Sequence, residues 1–560
     1  MAIDLPPALP PVQATEVQVK NYASNPASAI TANINDIQLK VFGDTHLGNE
    51  EIVQLIESSK TPSDAIIRLS NRYYEAGHLL MKIRYYRSLD AIYVYVDQLR
   101  LAELRGASQV TDHFTNLVGD SDLTMEEFYS SRVIADLKAK RAGYHYSVSY
   151  EEQTNNDLVM VFNQKAVENY DATDYILEAN NKGNRFLGRY FGLAGINHRF
   201  QTGTQLSVAY QTAFADLGES RDGENLDQFS LGIDHPFVSG LYGVELSYVE
   251  YERSPSTEQS SSASCLLGAL CLLPGTSTST TSKIDIDAEI LQASIHGQQI
   301  LYSTTRNQFV LKERLQHIDS KVQRTGQNEK LLEEKYQTLE IGGEYSRTQY
   351  DSQITTASQL NLALSARAGL GGSGTLEDYE SFKARYIAEN PNSAVPEVAP
   401  AARSADFFTL LPSASYQTRL FSDTSLKLNA SGQFTNEQLP QQQQFVLGGM
   451  GSLSAYLPGV LVGDEGYLLT AKIERRYKFD KFELTPGVFS EYAGSWYKNT
   501  SSAQKNDDSL ADAGLSLSLS YGESLYTELV AAVPVYDDVV DEQRLNALEA
   551  DFYWRIRLTF

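Results

Sequence analysis

The chain has 560 residues and a net charge of -25, a length that ordinarily means several soluble domains. The acidic balance speaks against nucleic acid as a partner, and no apolar run approaches the roughly 20 residues a membrane helix needs. Tyrosine is frequent, at 34, methionine (5) and tryptophan (2) are rare, and helical patterns stop near residue 142. If such a chain crosses a membrane, it does so as a closed barrel, because closure leaves no backbone group unpaired in lipid.

The opening, Met1-Ala2-Ile3-Asp4-Leu5, has neither the basic nor the apolar region of a signal peptide. It reads as a mature exported sequence whose leader was replaced by a start Met, with a cytoplasmic chain as the plain alternative. Residues 1–33, proline-rich over 6–11, read as a flexible lead-in, and Asn25-Pro26 argues against a helix within 12–32.

A first unit spans 34–98, with a strand at 37–41, helices at 50–57 and 61–75, and strands at 78–86 and 91–96. Thr61-Pro62-Ser63-Asp64 is a helix start, with Thr61 as N-cap and Pro62 in the first turn, and Ala76-Gly77 is a stop. The same order returns over 99–166: a strand at 99–106, helices at 109–117 and 124–141, the stop Ala142-Gly143, and strands at 144–150 and 157–162. A unit repeated about 65 residues apart weighs more than any single propensity.

From residue 172 onward the texture is that of a barrel. Ala513, Leu515, Leu517, Leu519 and Tyr521 alternate with Gly514, Ser516, Ser518 and Ser520, and Phe552, Trp554, Ile556, Leu558 and Phe560 alternate with Tyr553, Arg555, Arg557 and Thr559. Two arginines sit cheaply only on a lumen face, so the barrel is apolar outside and polar inside. Sixteen such strands fit, near 175–181, 187–200, 204–212, 228–235, 243–252, 286–297, 306–317, 336–349, 355–367, 405–419, 424–435, 466–478, 482–497, 511–521, 523–533 and 550–560. After the first strand every second connection is short, and the longest others are 253–285, 368–404 and 436–465. Short periplasmic turns and long outer loops alternate in this way in outer-membrane barrels, which puts both chain ends in the periplasm.

Cys265 and Cys271 match no zinc pattern and read as a loop disulfide, or else as two free thiols. The glycine run at 369–374 formally fits a dinucleotide fingerprint but lacks the βαβ unit that gives it meaning, and reads as an outer-loop hinge. No catalytic constellation stands out. The eight histidines are scattered and suggest no metal site, so neither an enzyme nor a cofactor is expected.

The two units, each with a helix-Gly-strand step at Glu75-Ala76-Gly77-His78 and Arg141-Ala142-Gly143-Tyr144, resemble polypeptide-transport-associated (POTRA) domains. Two POTRA-like α+β domains before a 16-stranded antiparallel transmembrane β-barrel resemble the outer-membrane transporter of two-partner secretion (the TpsB family) in Gram-negative bacteria. Asn180-Asn181-Lys182-Gly183 followed by Leu187-Gly188-Arg189-Tyr190 is similar to the family's first hairpin. Gln444-Phe445-Val446-Leu447-Gly448-Gly449 and Gly463-Asp464-Glu465-Gly466-Tyr467 resemble the flanks of its sixth outer loop. One departure stands out. The loop tip, usually Val-Arg-Gly-Tyr or Phe, reads Leu453-Ser454-Ala455-Tyr456, so Ser454 stands where the family's arginine pairs with an acidic wall residue, matched by Glu491. Its cationic partner then comes from elsewhere, with Lys472 and Arg476 as the candidates, or is absent, with the loop anchored differently or the chain a divergent branch with another substrate.

The resemblance implies a pore that exports an unfolded polypeptide without nucleotide hydrolysis. Cargo would pair by β-augmentation with the strand edges carrying Leu79, Met81, Ile83 and Tyr85, and Tyr144, Tyr146 and Val148; ordinary strand packing is their other reading. Lys472, Glu474, Arg476, Arg555 and Arg557 would line the route, or simply form a stiffening ion-pair lattice. The partners implied are the secreted cargo, outer-membrane lipid and lipopolysaccharide, and the barrel-assembly machinery. An insertase of the Bam and Tam type and a diffusion channel are the alternatives.

Overall fold

The structure is a computed structural model. It describes residues 2–15, 17, 29–43, 46–89, 91–153, 156–183, 188–214, 225–253, 256–257, 282–283, 286–324, 327–351, 356–374, 403–498, 507–539, 545–546 and 548–560. Cys265 and Cys271 lie outside these residues, as does 18–28, the middle of the stretch where no helix was expected.

The two N-terminal stretches share one pattern of strand pairing. In the first, Ile37–Gly43 runs parallel to Ala91–Gln98, which pairs antiparallel with Met81–Arg87. In the second, Arg100–Arg105 runs parallel to Asp157–Ala166, which pairs antiparallel with Tyr144–Glu152. The repeat read from sequence is therefore a repeat of sheet topology. Helix starts follow the cap chemistry. Asp64 N–H donates to Thr61 Oγ1 at 3.1 Å, and Thr124 with Glu127 forms a reciprocal capping box. The helices Pro62–Glu75 and Met125–Arg141 both stop at a glycine with positive φ, Gly77 and Gly143.

The lead-in departs from its expectation of flexibility. Ile30–Ile34 pairs with Ile37–Gly43 as an extra strand, and residues 2–14 are docked along both units. Ala2, Ile3 and Leu9 are buried in the second unit's core. The prolines of 6–11 concealed this, since they break the alternation by which a strand is recognised.

His113 lies in that same unit. It is 3% exposed, and neither ring nitrogen has a hydrogen-bond partner among the described residues. Burial pushes its imidazole down from 6.5 to about 4. The unfolded chain then binds a proton near 6.5 that the folded one refuses until about 4, so stability is present above 6.5 and falls as the pH drops through that window. We expect the melting temperature of the periplasmic portion to fall between those pH values, and His113→Leu to remove much of the fall. Identical pH profiles for the two proteins would contradict this.

The barrel closes with sixteen strands, counting Glu465–Arg475 and Tyr477–Phe479 as one strand interrupted at Arg476. Every neighbouring pair is antiparallel, and the last strand, Tyr553–Thr559, pairs with the first, Thr173–Asn180. Each of the sixteen expected strands is present. Two expectations about loops are corrected. Residues 318–324 and 327–335 belong to the long paired strands Asn307–Arg324 and Gln327–Tyr350, with Ile318 and Tyr336 packed on Ala405, Phe407 and Leu439. At roughly 3.3 Å per residue these strands outrun an apolar band of about 25 Å. The glycine run at 369–374 is no hinge; it ends the strand Thr356–Gly374, with a register shift where Gly371 has φ 80°.

The second unit's long helix fixes the units to the short-turn side. Ser303 N–H donates to Ser130 Oγ at 3.0 Å, Tyr302 Oη donates to Glu126 at 3.2 Å, and Arg141 pairs with Asp234.

Candidate translocation site

The alternation that leaves Val488, Tyr492, Leu515 and Ile556 exposed on the lipid face turns Glu491, Asp512 and Arg555 to the lumen. Cross-strand ion pairs line that wall. Arg557 reaches Glu178 at 2.7 Å, Arg555 reaches Glu528 at 2.8 Å, and Lys427 reaches Glu474 at 2.5 Å. The carboxylate of each pair is largely buried, so desolvation offsets much of the attraction. The pairs set the polarity of the route, while the closed backbone ladder holds the barrel together.

The sixth outer loop enters this lumen. Glu491 and Asp512 face each other across adjacent strands and are both buried. Ser454 N–H donates to Glu491 Oε2 and Ala455 N–H to Asp512 Oδ2, each at 2.7 Å. The tip turns tightly. Gly449 N–H donates to the Tyr456 carbonyl at 2.9 Å, and Gly451 N–H donates to Ser454 Oγ at 3.0 Å. Leu453 sits at φ 64°, which few residues other than glycine accept readily. Gly448 has φ 107°, and a Cβ there would meet the Leu457 carbonyl at 2.3 Å. Behind the tip, Tyr553 Oη donates to the Tyr456 carbonyl at 2.6 Å, and Ala550 N–H donates to the Ala455 carbonyl at 2.8 Å. At the loop base Arg367 bridges Glu340, at 2.7 Å, to Gln443 Oε1, at 2.8 Å.

This corrects the expected replacement cation. Lys472 lies 3.7 Å from Glu474 and Arg476 lies 3.0 Å from Glu483; Glu491 is met instead by the backbone of Leu453 and Ser454, the Ser454 hydroxyl and the Asp512 carboxyl. Two amide dipoles stand where the family's pattern has one guanidinium. A backbone donor leaves no mark in sequence, so the substitution could be seen there but not what compensates for it.

On the periplasmic side, Leu79, Met81, Ile83, Tyr146 and Val148 are buried, while Tyr85 and Tyr144 pack partly buried against the two cores. Their side chains serve the strand packing that was the other reading. What the strands present outward is backbone, and it is already engaged. Val12–Gln13 lies parallel on Met81–Arg87, with Val12 opposite Arg84 and Gln13 opposite Tyr85. Ile3 bridges Tyr146 in parallel.

Among the described residues one group has metal-ligand spacing. His46, His78 and Asp122 have donor atoms within 4.8 Å of one another, Asp122 being 3.4 Å from His78 and 3.8 Å from His46. The trio could hold a divalent ion of the zinc type. Sequence reasoning missed it because the three come from separate segments with no spacing motif.

Residues 278–521 match the profile of the haemolysin secretion/activation protein ShlB/FhaC/HecB family. The matched stretch is less than half of the chain and lies within the barrel. In fold the transporter is similar to CdiB from Escherichia coli, at 13% identity over 96% of this chain and 92% of that one, with a TM-score of 0.64. It is also similar to CdiB from Acinetobacter baumannii, at 13% identity over 95% of this chain and 90% of that one, with a TM-score of 0.58. No curated protein sequence matches it. The match to this family, together with the closed barrel and its polar lumen, supports an outer-membrane translocation pore for secreted protein.

Proposed function

We propose that the two α+β units are POTRA domains that meet an unfolded cargo in the periplasm through backbone edges and pass it to the lumen beneath which they are hung. One observation carries this reading. The outward backbone at Tyr85 and Tyr146 pairs with an extended segment, Ala14 N–H donating to the Tyr85 carbonyl at 2.8 Å and Tyr146 N–H to the Ala2 carbonyl at 2.7 Å. Main-chain pairing of this kind tolerates many sequences, as a transporter of unfolded chains needs. Above, the sixth loop is held by hydrogen bonds rather than covalently, so an incoming chain can displace it without chemistry. Lipid and lipopolysaccharide surround the exposed apolar face, and the strand Tyr553–Thr559 is offered to the barrel-assembly machinery.

The test is a strain exporting a cargo that depends on this transporter. Deleting residues 34–166 should abolish surface appearance of the cargo and leave the barrel inserted. Undiminished export by that barrel would overturn the reading. Loss of other outer-membrane barrels, with export intact, would mark an insertase instead.

A further inference from the structure

Residues 2–14 cross both units in one extended run, about 40 Å at roughly 3.3 Å per residue, and nearly every polar contact they make involves their backbone. At the start, Ala2 and Ile3 N–H both donate to Asp136 Oδ1 at 2.7 Å. Tyr146 then pairs on both sides of Ile3, its N–H donating to the Ala2 carbonyl at 2.7 Å and its carbonyl accepting from Asp4 N–H at 2.8 Å. Ile3 is wholly buried. In the middle, Pro6, Pro7, Pro10 and Pro11 have no N–H, so this stretch offers the protein acceptors almost alone. What meets it there are donors from the helix Pro62–Glu75: Tyr74 Oη donates to the Pro6 carbonyl at 2.8 Å and Ser70 Oγ to the Leu9 carbonyl at 2.9 Å, with Leu9 buried between. At the far end Val12–Gln13 becomes a strand again on Met81–Arg87. The surface is thus matched along its length to a ligand that is strand, then polyproline-like, then strand.

We infer that this surface is one continuous peptide track, that residues 2–14 are its resident occupant, and that a cargo segment of the same chemistry takes their place. That segment is extended, enters parallel to Tyr144–Glu152 and Met81–Arg87, puts an aliphatic side chain beside Tyr146, and carries prolines where Tyr74 and Ser70 donate. The inference rests on the proposed reading that cargo meets these edges. The track cannot hold both chains, since Tyr146 and Tyr85 each have one outward edge and residues 2–14 use both. The resident segment competes intramolecularly, so only a cargo that matches the track over several contacts displaces it, and poorly matched exported chains are excluded.

Two measurements on the full transporter decide the matter. The first uses a fluorescent synthetic peptide of residues 2–14 and the transporter with those residues deleted. Anisotropy should show saturable binding, at least tenfold weaker to the intact transporter and weakened by Ser70→Ala with Tyr74→Phe. Absence of binding, or equal binding to intact and deleted transporters, would overturn the track. The second locks the segment with Val12→Cys and Arg84→Cys, which face each other across the pairing at a spacing a disulfide can span. Export should fall at least tenfold when the pair is oxidised and return on reduction, with each single variant as control. If the peptide binds as expected but the oxidised transporter exports at full rate, the track stands and it is the cargo reading that fails.

Discussion

Replacing Glu491 and Asp512 together by alanine is expected to release the sixth loop from the lumen, with a higher, unsteady conductance in planar bilayers and new protease cleavage within 448–459. The two carboxylates accept from Ser454 and Ala455 N–H at 2.7 Å in a buried place. Without them two amides are orphaned, at about 1–3 kcal/mol each. The sum, about 2–6 kcal/mol, is comparable with the roughly 5.5 kcal/mol that takes a two-state equilibrium from 99:1 to 1:99. Removing two neighbouring buried carboxyl groups relieves some desolvation cost, but that gain goes to the barrel wall whether the loop is in or out and does not hold the loop in place. Glu491→Gln with Asp512→Asn keeps an acceptor at each position and should leave the loop seated. Conductance and cleavage unchanged in the double alanine protein would show that the tip is held by something else.

Tyr456→Ala should destabilise the seated loop by about 3–5 kcal/mol, the range for deleting a large buried aromatic side chain. Tyr456 is fully buried in a cluster with Leu453, Leu510 and Leu545, so its ring joins the loop tip both to the wall and to the last outer connection. Its hydroxyl has no hydrogen-bond partner among the described residues, so Tyr456→Phe should behave as wild type within about 1 kcal/mol. The readout is the temperature at which the barrel unfolds on a semi-native gel. A fall for alanine and none for phenylalanine is expected; equal temperatures for all three would mean that the ring does not bear on the barrel's stability.

Much of this architecture was legible in the residues. The sixteen strands could be read because a lipid face and a water face impose a strict period of two, as at 511–521, and the parity of the loops supplied an independent check. The repeat was legible because Gly77 and Gly143 mark the same helix stop. Three features were hidden, each for a physical reason. Residues 2–14 bind through carbonyls and amides, which every sequence possesses, and their prolines imitate a linker. The strands continue past 317 and start before 336, beyond the band in which lipid imposes its alternation. The loop anchor moved from a side chain to the backbone, and Lys472 and Arg476, plausible from their place in the sequence, face Glu474 and Glu483 instead. The lumen wall was therefore readable as a surface, and its contacts were not.

The central claim is that cargo passes through the lumen of this barrel rather than along its seam with lipid. Arg555 and Ile556 are adjacent on the last strand, Arg555 reaching Glu528 inside and Ile556 exposed outside beside the closing pair with Thr173–Asn180. A photo-crosslinking residue at each position, in cells where the cargo is stalled by a stably folded C-terminal fusion, separates the two routes by one residue. The account expects the stalled cargo to be captured at 555 and not at 556; capture at 556 with none at 555 would contradict it.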